Sequence, residues 1–236
     1  MKIFLISLAL LMILPGDITK DELLGKFNPA THPDFIEIDP SYTSKAHLYM
    51  RKEAYDAFKS MHAKATQDGV KLTILSATRN FDHQKGIWER KWTRTRYMGW
   101  PDAKKVSDIM TYSSMPGTSR HHWGTDIDLN ALENDYFEKG SGLKTYEWLN
   151  LNAPDFGFYQ TYTSKDSGRS GYEEEKWHWS YMPLAEKYLQ AYRELVGEDD
   201  ITGFHGSELA DSLRIFQIYV EGIATPSRVN ETTPNN

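Results

Sequence analysis

The stretch Ser119–Asp128, SRHHWGTDID, and the stretch Glu173–Trp179, EEEKWHW, show the clearest structural pattern in this chain. From Thr125 to Leu129 polar and apolar residues alternate, which predicts a half-buried strand with both aspartates on one face and the apolar residues on the other. His178 stands between two tryptophans, so in an extended segment it faces away from both. Each stretch therefore places polar groups on one face and packing groups on the opposite face.

These polar groups are of the types that bind metal ions. Two imidazoles and one carboxylate are a common set of three protein ligands for catalytic zinc, which keeps its fourth position open. A further carboxylate could serve as a general base. Any single histidine or aspartate could equally be a hydrogen-bonded or surface group, and we expect this of His122, His83 and His205. Glu173–Glu175 could likewise be a solvated acidic loop.

The composition excludes several classes of protein. Of the chain's 236 residues, 39% are apolar and 25% charged, which is typical of a globular protein. The length predicts one domain with additions or two small domains. Its 33 acidic and 27 basic residues give a net charge of -6, which argues against binding to nucleic acid. With no cysteine, the chain has no disulfides, thiolate nucleophiles or cysteine zinc ligands.

Residues 1–16 are predicted to be a secretory signal peptide. Lys2 precedes an apolar run from Ile3 to Leu14, which is too short to span a bilayer as a helix. No small-x-small cleavage pattern precedes Asp17, so an uncleaved anchor or a buried first helix stays open. A lipid anchor is excluded because it needs cysteine. Disulfides are common in proteins of the eukaryotic secretory route, and this chain has no cysteine. We therefore expect an exported protein of the bacterial periplasm or cell envelope.

The remaining pattern predicts an α+β fold, because helices and short strands do not alternate regularly. We expect an extended lead-in at 17–40 and a catalytic domain at 17–200, followed by a C-terminal helix and tail at 201–236 that pack on the domain or trail from it. The spacing of apolar residues predicts helices at 45–67, 80–92, 144–151, 184–195 and 207–220, and strands at 71–76, 125–129 and 177–179.

Three segments resemble the VanY-type D-alanyl-D-alanine carboxypeptidases, which belong to the LAS zinc peptidases together with lysostaphin and share a fold with Sonic hedgehog. The first segment is Ser-x-His-x-x-Gly-x-x-x-Asp at 119–128, and the second is Glu-x-Trp-His at 175–178. The third is Ser76-Ala77-Thr78-Arg79, followed by Gln84. The resemblance covers about 40–185 and implies a small central antiparallel sheet flanked by helices, with a zinc site on the sheet face.

The resemblance also implies a role for each matching residue. His121, Asp128 and His178 correspond to the ligands of one zinc ion per chain. Glu175 corresponds to the catalytic base. The roles implied near the substrate are binding of the terminal carboxylate or the reacting carbonyl by Arg79, orientation of the C-terminal residue by Gln84 and Ser119, and a pocket wall formed by Trp177. Plain core packing remains an equal alternative for Trp177.

The function implied is that of a zinc-dependent D-alanyl-D-alanine carboxypeptidase that removes the terminal D-Ala from peptidoglycan stem peptides. We expect the chain to be exported and to be a monomer. The alternatives are an L,D-carboxypeptidase, a stem-peptide endopeptidase and, outside enzymes, a zinc-containing wall-binding module. The chain departs from the family in Ala77-Thr78-Arg79-Asn80, where Gly-Tyr-Arg-Ser is common, and in the acidic Asp126. A carboxylate so close to the metal could alter the charge of the pocket and its specificity.

Overall fold

A computed structural model of the protein describes residues 18–224. The predicted signal peptide at 1–16 and the end of the predicted tail, 225–236, lie outside the described residues. In chain order the helices and strands are α1 (Lys20–Leu23), β1 (Phe35–Glu37), β2 (Tyr49–Arg51), α2 (Lys52–Gln67), β3 (Ile74–Ser76), α3 (Phe81–Trp92), α4 (Asp102–Ile109), β4 (Asp126–Leu129), α5 (Gly140–Asn152), β5 (Phe158–Gln160), β6 (His178–Tyr181) and α6 (Met182–Leu195).

A four-stranded antiparallel sheet lies at the centre, with the strand order β3-β4-β6-β5. In the pairing of β4 with β6, Ile127 lies opposite Trp179 and Asp128 lies opposite His178. Strands β1 and β2 form a separate antiparallel pair. The α+β class and the small antiparallel sheet flanked by helices are therefore confirmed.

The apolar face of the sheet packs against helices α2 and α5. Ile127 and Trp179 are 0% and 1% exposed, and they share one hydrophobic core with Phe58 of α2 and Leu149 of α5. Burying each such side chain contributes about 1.5–3 kcal/mol, which fixes the side of the sheet that faces inward. The residues between them along the strands must then face the opposite side.

A second hydrophobic core holds α3, α4 and α6 together. It includes Trp88, Val106 and Tyr192 from these helices, and also Leu23 from the N-terminal segment. The extended lead-in predicted at 17–40 is wrong at this point. Thr19 caps the short helix α1 through a reciprocal capping box with Glu22, which satisfies the free N–H groups of the first turn.

The C-terminal helix predicted at 207–220 is also wrong. A 3-10 helix at Ser207–Leu209 and a π-helix at Phe216–Val220 are separated by turns. Arg214 lies between them with φ of +50°, and a left-handed residue cannot continue an α-helix. The apolar residues of this segment still pack inward, since Ile215 and Val220 belong to the second core.

Other helices agree more closely with the sequence pattern. Helix α3 begins after Asn80, whose side chain accepts a hydrogen bond from the N–H of His83, as the predicted start at residue 80 requires. Helix α2 begins at Lys52 rather than at 45, because Tyr49–Arg51 pairs with β1 instead. Within residues 18–224, no helix is both long and apolar enough to cross a bilayer.

Candidate active site

The turn that joins His121 to strand β4 depends on a glycine. The 3-10 helix Arg120–Trp123 ends at Gly124, which has φ of +74°. A Cβ atom at this position would lie 2.4 Å from the ring of Phe35, so only glycine fits without movement. The turn brings the polypeptide from His121 directly into the strand that carries Asp128.

Asp128 and His178 meet because they are paired residues on neighbouring strands. Asp128 Oδ1 lies 3.2 Å from His178 Nδ1 and 3.4 Å from His121 Nε2. The two imidazole rings are 4.8 Å apart and nearly perpendicular. All three side chains are buried. Their ligand atoms lie within 4.8 Å of one another, so the group could hold a metal ion.

The back of the His121 ring is held by the main chain. His121 Nδ1 is 2.8 Å from the carbonyl oxygen of Ala77, which can only accept a hydrogen bond. The proton of a neutral His121 ring is therefore on Nδ1, and Nε2 presents its lone pair toward Asp128. The sequence segment that carries Arg79 thus also orients one of the predicted ligands.

The donor set fits a divalent cation such as zinc. Asp128 Oδ1 is buried and accepts no well-formed hydrogen bond. Burial would raise the pKa of Asp128, but His121 and His178 hold it well below its usual range. Burial would likewise lower the pKa of His178, but Asp126 and Asp128 raise it to about 9. These carboxylates thus stabilise positive charge here, whether of a proton or of a cation.

Asp126 lies behind the site rather than in it. Its carboxylate is fully buried and accepts hydrogen bonds from Arg120 Nε at 3.0 Å and from His178 Nε2 at 2.9 Å. Burial favours its neutral form, but Arg120 and His178 hold the pKa of Asp126 below its usual range. Arg120 pairs with this carboxylate behind the site, and the predicted effect of Asp126 on the charge of the pocket stays a prediction.

Glu175 reaches the site from the turn before β6. Its N–H donates to the carbonyl of Tyr162 at 2.9 Å, and its carbonyl accepts from the N–H of His178. Its carboxylate Oε2 lies 3.6 Å from His178 Nδ1. Burial raises the pKa of Glu175 to about 7, although the positive charge of His178 opposes the shift. A carboxylate with a pKa near 7 can both take up and release a proton.

A cavity of about 690 Å3 opens onto these groups. This volume is in the range of binding sites for small molecules or peptide ends. Several buried polar atoms of its lining have no hydrogen-bond partner within the protein: Arg79 Nε, Ser119 Oγ, Arg120 Nη1, Asp128 Oδ1 and Tyr172 Oη. Buried polar atoms are normally satisfied, so their accumulation marks a wall built to bind a polar ligand.

Comparison with known proteins agrees with this geometry. The model of the VanY family, described as D-alanyl-D-alanine carboxypeptidase, matches residues 47–184. The chain belongs to this family. The segment matched to VanY contains α2 to β6 and all of the residues that resemble the family's zinc and substrate groups.

Individual relatives of the VanY-family chain carry carboxypeptidase names. It is 29% identical over 165 residues to "Putative carboxypeptidase YodJ" of Bacillus subtilis (strain 168), covering 68% of this chain and 56% of the relative. It is 30% identical over 120 residues to a D-alanyl-D-alanine carboxypeptidase of Enterococcus faecalis, covering 51% and 43%. The chain thus spans about half the length of these relatives.

One solved structure similar to this VanY-family chain is that of the LdcB LD-carboxypeptidase, described as revealing the molecular basis of peptidoglycan recognition. The TM-score is 0.54 at 25% sequence identity, and the match covers 73% of this chain and 77% of LdcB. The LAS-type fold implied by the sequence resemblance is therefore confirmed.

The predicted substrate residues of the VanY pattern do not all reach the cavity. Arg79, Ser119 and Trp177 line it, and Trp177 faces Tyr112 at a ring distance of 6.3 Å. Gln84 is buried and does not line it, and the predicted role of Gln84 in orienting the C-terminal residue stays a prediction. Its amide instead donates to the carbonyl of Ser114 at 2.7 Å, because the first turn of α3 faces that loop.

Sequence reasoning did not single out Lys91, Tyr162 or Tyr172, which are among the residues that line the cavity. Lys91 lies one turn beyond Ile87 on α3, and its Nζ donates to Ser113 Oγ at 2.6 Å. Burial lowers the pKa of Lys91 to about 8, and the nearby positive charge of Arg94 adds to this effect. Tyr162 and Tyr172 come from the loop after β5. The helical spacing of Ile87 and Lys91 is the local signal that places the lysine on the same side of α3 as Ile87.

The three histidines that were expected to lie outside a metal site are not in the cluster. His122 is buried, with Nδ1 2.6 Å from the carbonyl of Arg79 and Nε2 accepting from the N–H of Gly117. His83 is exposed, and His205 pairs with Glu89 at the surface. All three are hydrogen-bonded or surface groups, as expected.

Proposed function

We propose that this chain is a zinc-dependent D-alanyl-D-alanine carboxypeptidase that removes the terminal D-Ala from peptidoglycan stem peptides. The observation that carries the proposal is the meeting of His121, Asp128 and His178 in one buried cluster, with Glu175 3.6 Å from His178. A purely structural zinc site is closed by four ligands and needs no base. The presence of Glu175 beside three donors therefore favours an enzyme over a wall-binding module.

His121 Nε2, His178 Nδ1 and a carboxylate oxygen of Asp128 would hold one zinc ion per chain. When bound there, zinc would polarise the scissile carbonyl and lower the pKa of water. Glu175 takes the proton of the attacking water and then passes it to the nitrogen of the leaving D-Ala. The raised pKa of Glu175 suits both transfers at neutral pH.

The charged wall supports a carboxypeptidase rather than an endopeptidase. Arg79 and Lys91 both line the cavity, and Nε of Arg79 has no partner within the protein. A guanidinium offers several donors to a carboxylate or to the oxyanion that develops on the reacting carbonyl. A substrate that ends inside the cavity supplies such a carboxylate, whereas one that continues through it does not.

An L,D-carboxypeptidase is the second candidate. The resemblance to the LdcB LD-carboxypeptidase favours it, whereas the Enterococcus faecalis relative favours the D,D activity. The same catalytic groups would serve both reactions. The difference would lie in the part of the cavity that accepts the residue before the scissile bond.

We also propose that the protein acts outside the cytoplasm and that residues 1–16 are its signal peptide. We further propose that the protein is a monomer. The substrate supports export, because peptidoglycan lies in the cell envelope. Cell fractionation and light scattering of the purified chain would test the two statements separately. A cytoplasmic chain of unshifted mass would contradict export, and a stable dimer would contradict the monomer.

The test is to incubate the zinc-loaded protein with a pentapeptide and a tetrapeptide muropeptide and to identify the products by mass spectrometry. Loss of one alanine from the pentapeptide alone is expected. Loss from the tetrapeptide alone would establish the L,D activity instead. Cleavage only inside the stem would establish an endopeptidase, and zinc binding without any product would support the wall-binding module.

A further inference from the structure

Asp126 is a buried carboxylate that the proposed reaction does not use. It is fully buried and does not line the cavity, so it cannot touch a substrate bound there. Four donors surround it: Arg120 Nε and His178 Nε2 on Oδ2, and the hydroxyls of Thr125 and Ser180, each 2.7 Å from Oδ1. A buried charge persists only when it is paired and hydrogen-bonded, and here both oxygens are fully occupied.

The contact with His178 fixes how that ring faces the metal site. His178 Nε2 lies 2.9 Å from Asp126 Oδ2, while Nδ1 on the other side of the ring points to Asp128. An ionised carboxylate only accepts hydrogen bonds, so Nε2 must carry the proton. The lone pair of a neutral His178 is then on Nδ1, where a metal needs it.

The two histidines of the cluster differ in this support. His121 Nδ1 faces the neutral carbonyl of Ala77, whereas His178 Nε2 faces a charged carboxylate. A carboxylate behind a ligating imidazole fixes the ring and raises the basicity of the nitrogen that binds the metal. We therefore expect the hydrogen bond with Asp126 to orient the ring of His178, whereas the carbonyl of Ala77 orients that of His121.

Arg120 compensates the negative charge of this buried carboxylate. Its Nε bonds to Asp126 and its Nη2 donates at 2.8 Å to Ser180 Oγ, which in turn donates to Asp126. The guanidinium also lies over the ring of Trp123, with 4.7 Å between its carbon and the ring centre. The pair is neutral, so it polarises His178 without adding net charge to the site.

We propose that Asp126 is a positioning residue that holds His178 with its Nδ1 toward the metal, and that Arg120 and Ser180 hold Asp126 in place. This inference shares with the proposed function only the metal site. It concerns binding of zinc by the protein alone, and it can therefore hold or fail whether or not a muropeptide is cleaved.

The test is the zinc affinity of Asp126→Asn, measured by competition with a chromophoric chelator in the absence of substrate. Loss of the carboxylate is expected to weaken zinc binding by about 10- to 100-fold, as for other residues behind a metal ligand. The absorption bands of the cobalt-substituted variant should also shift, because the basicity of the His178 nitrogen changes. Thr125→Val is the matched control, since it removes a donor to the other oxygen and should leave both readouts near wild type.

Asp126→Asn leaves Arg120 without its buried counter-charge and could unfold the chain. The double variant Arg120→Met with Asp126→Asn removes both charges, and it should fold and still bind zinc weakly. In the wild-type zinc form, nitrogen NMR of His178 should show a protonated Nε2. Zinc affinity within twofold of wild type in a folded Asp126 variant, or a metal-bound Nε2, would overturn the proposal.

Discussion

Asp128 and His178 face each other across two antiparallel strands, with Oδ1 of the aspartate 3.2 Å from Nδ1 of the histidine. The pairing register alone brings these side chains together, because residues directly opposite on one face of a sheet are near neighbours. The other face of the same strands is buried against α2 and α5. Any slip of the register by one residue would therefore expose the core and separate the cluster.

Replacing Glu175 by Gln should lower kcat by about 10^2- to 10^4-fold, because the amide cannot accept the proton of the attacking water. Zinc content should remain at wild-type level, since Glu175 is not one of the three proposed ligands. Asp128→Asn is the matched comparison and should lose zinc as well as activity. Turnover of Glu175→Gln at the wild-type rate would remove this residue from the mechanism.

Replacing Arg79 by Met should lower kcat/KM by about 10- to 100-fold, the loss expected when a charge-assisted hydrogen bond of about 1.5–3 kcal/mol is removed. A substrate with an amidated C-terminus shows which group Arg79 binds. If it binds the terminal carboxylate, amidation should impair the wild type but have little further effect on Arg79→Met. Equal impairment of both proteins would instead indicate that Arg79 acts on the reacting carbonyl.

Lys91 predicts a pH dependence of substrate binding. Because burial lowers the pKa of Lys91 to about 8, this cation should be lost as the pH rises through 8. The KM for an anionic stem peptide is then expected to increase above pH 8 in the wild type. In Lys91→Met the KM should be higher at pH 7 and should lack this increase. An unchanged KM profile in Lys91→Met would show that this side chain does not meet the substrate.

The same variant should be more stable than the wild type at pH 7. The pKa of Lys91 is lower in the folded protein than in the unfolded chain, so folding disfavours the protonated lysine. This cost in free energy of unfolding is fully present below pH 8. It diminishes as the pH rises from 8 toward the pKa of the lysine in the unfolded chain. Lys91→Met removes that cost and should raise the Tm at pH 7. A lower Tm in thermal unfolding would contradict the sign of this shift.

Gly124→Ala tests the turn that positions His121. The added Cβ would require φ of +74° and would meet the Phe35 ring at 2.4 Å. Strain of this kind costs on the order of 1–3 kcal/mol, so denaturant unfolding should show a loss of that size. Gly69→Ala also has a positive φ but has open space around the added methyl group, so it should cost less. Equal losses would mean that the contact with Phe35 is unimportant.

Local pattern was enough to predict the two central strands and helix α3. The alternation from Thr125 to Leu129 and the capping residue Asn80 both act within a few positions of the chain. The helical spacing at 207–220 misled, because those apolar residues pack through turns around Arg214 rather than along one α-helix. The spacing of apolar residues therefore predicts which residues are buried more reliably than it predicts the backbone conformation of the segment.

The candidate site was only partly accessible from the sequence. The resemblance indicated Arg79 and Ser119, both of which line the cavity, but also Gln84, which does not. Tyr162 and the back-side role of Asp126 depend on the pairing of strands far apart in the chain. No local pattern encodes such pairing, and it required the three-dimensional structure.

The central claim is that the chain hydrolyses the terminal peptide bond with a zinc ion held by His121, Asp128 and His178. The most direct measurement is mass spectrometry of a pentapeptide muropeptide incubated with the protein as purified, after removal of metal by a chelator, and after return of one equivalent of zinc. We predict release of a single D-Ala that stops on chelation and returns with zinc. Release at an unchanged rate from protein shown to be free of metal would contradict the account.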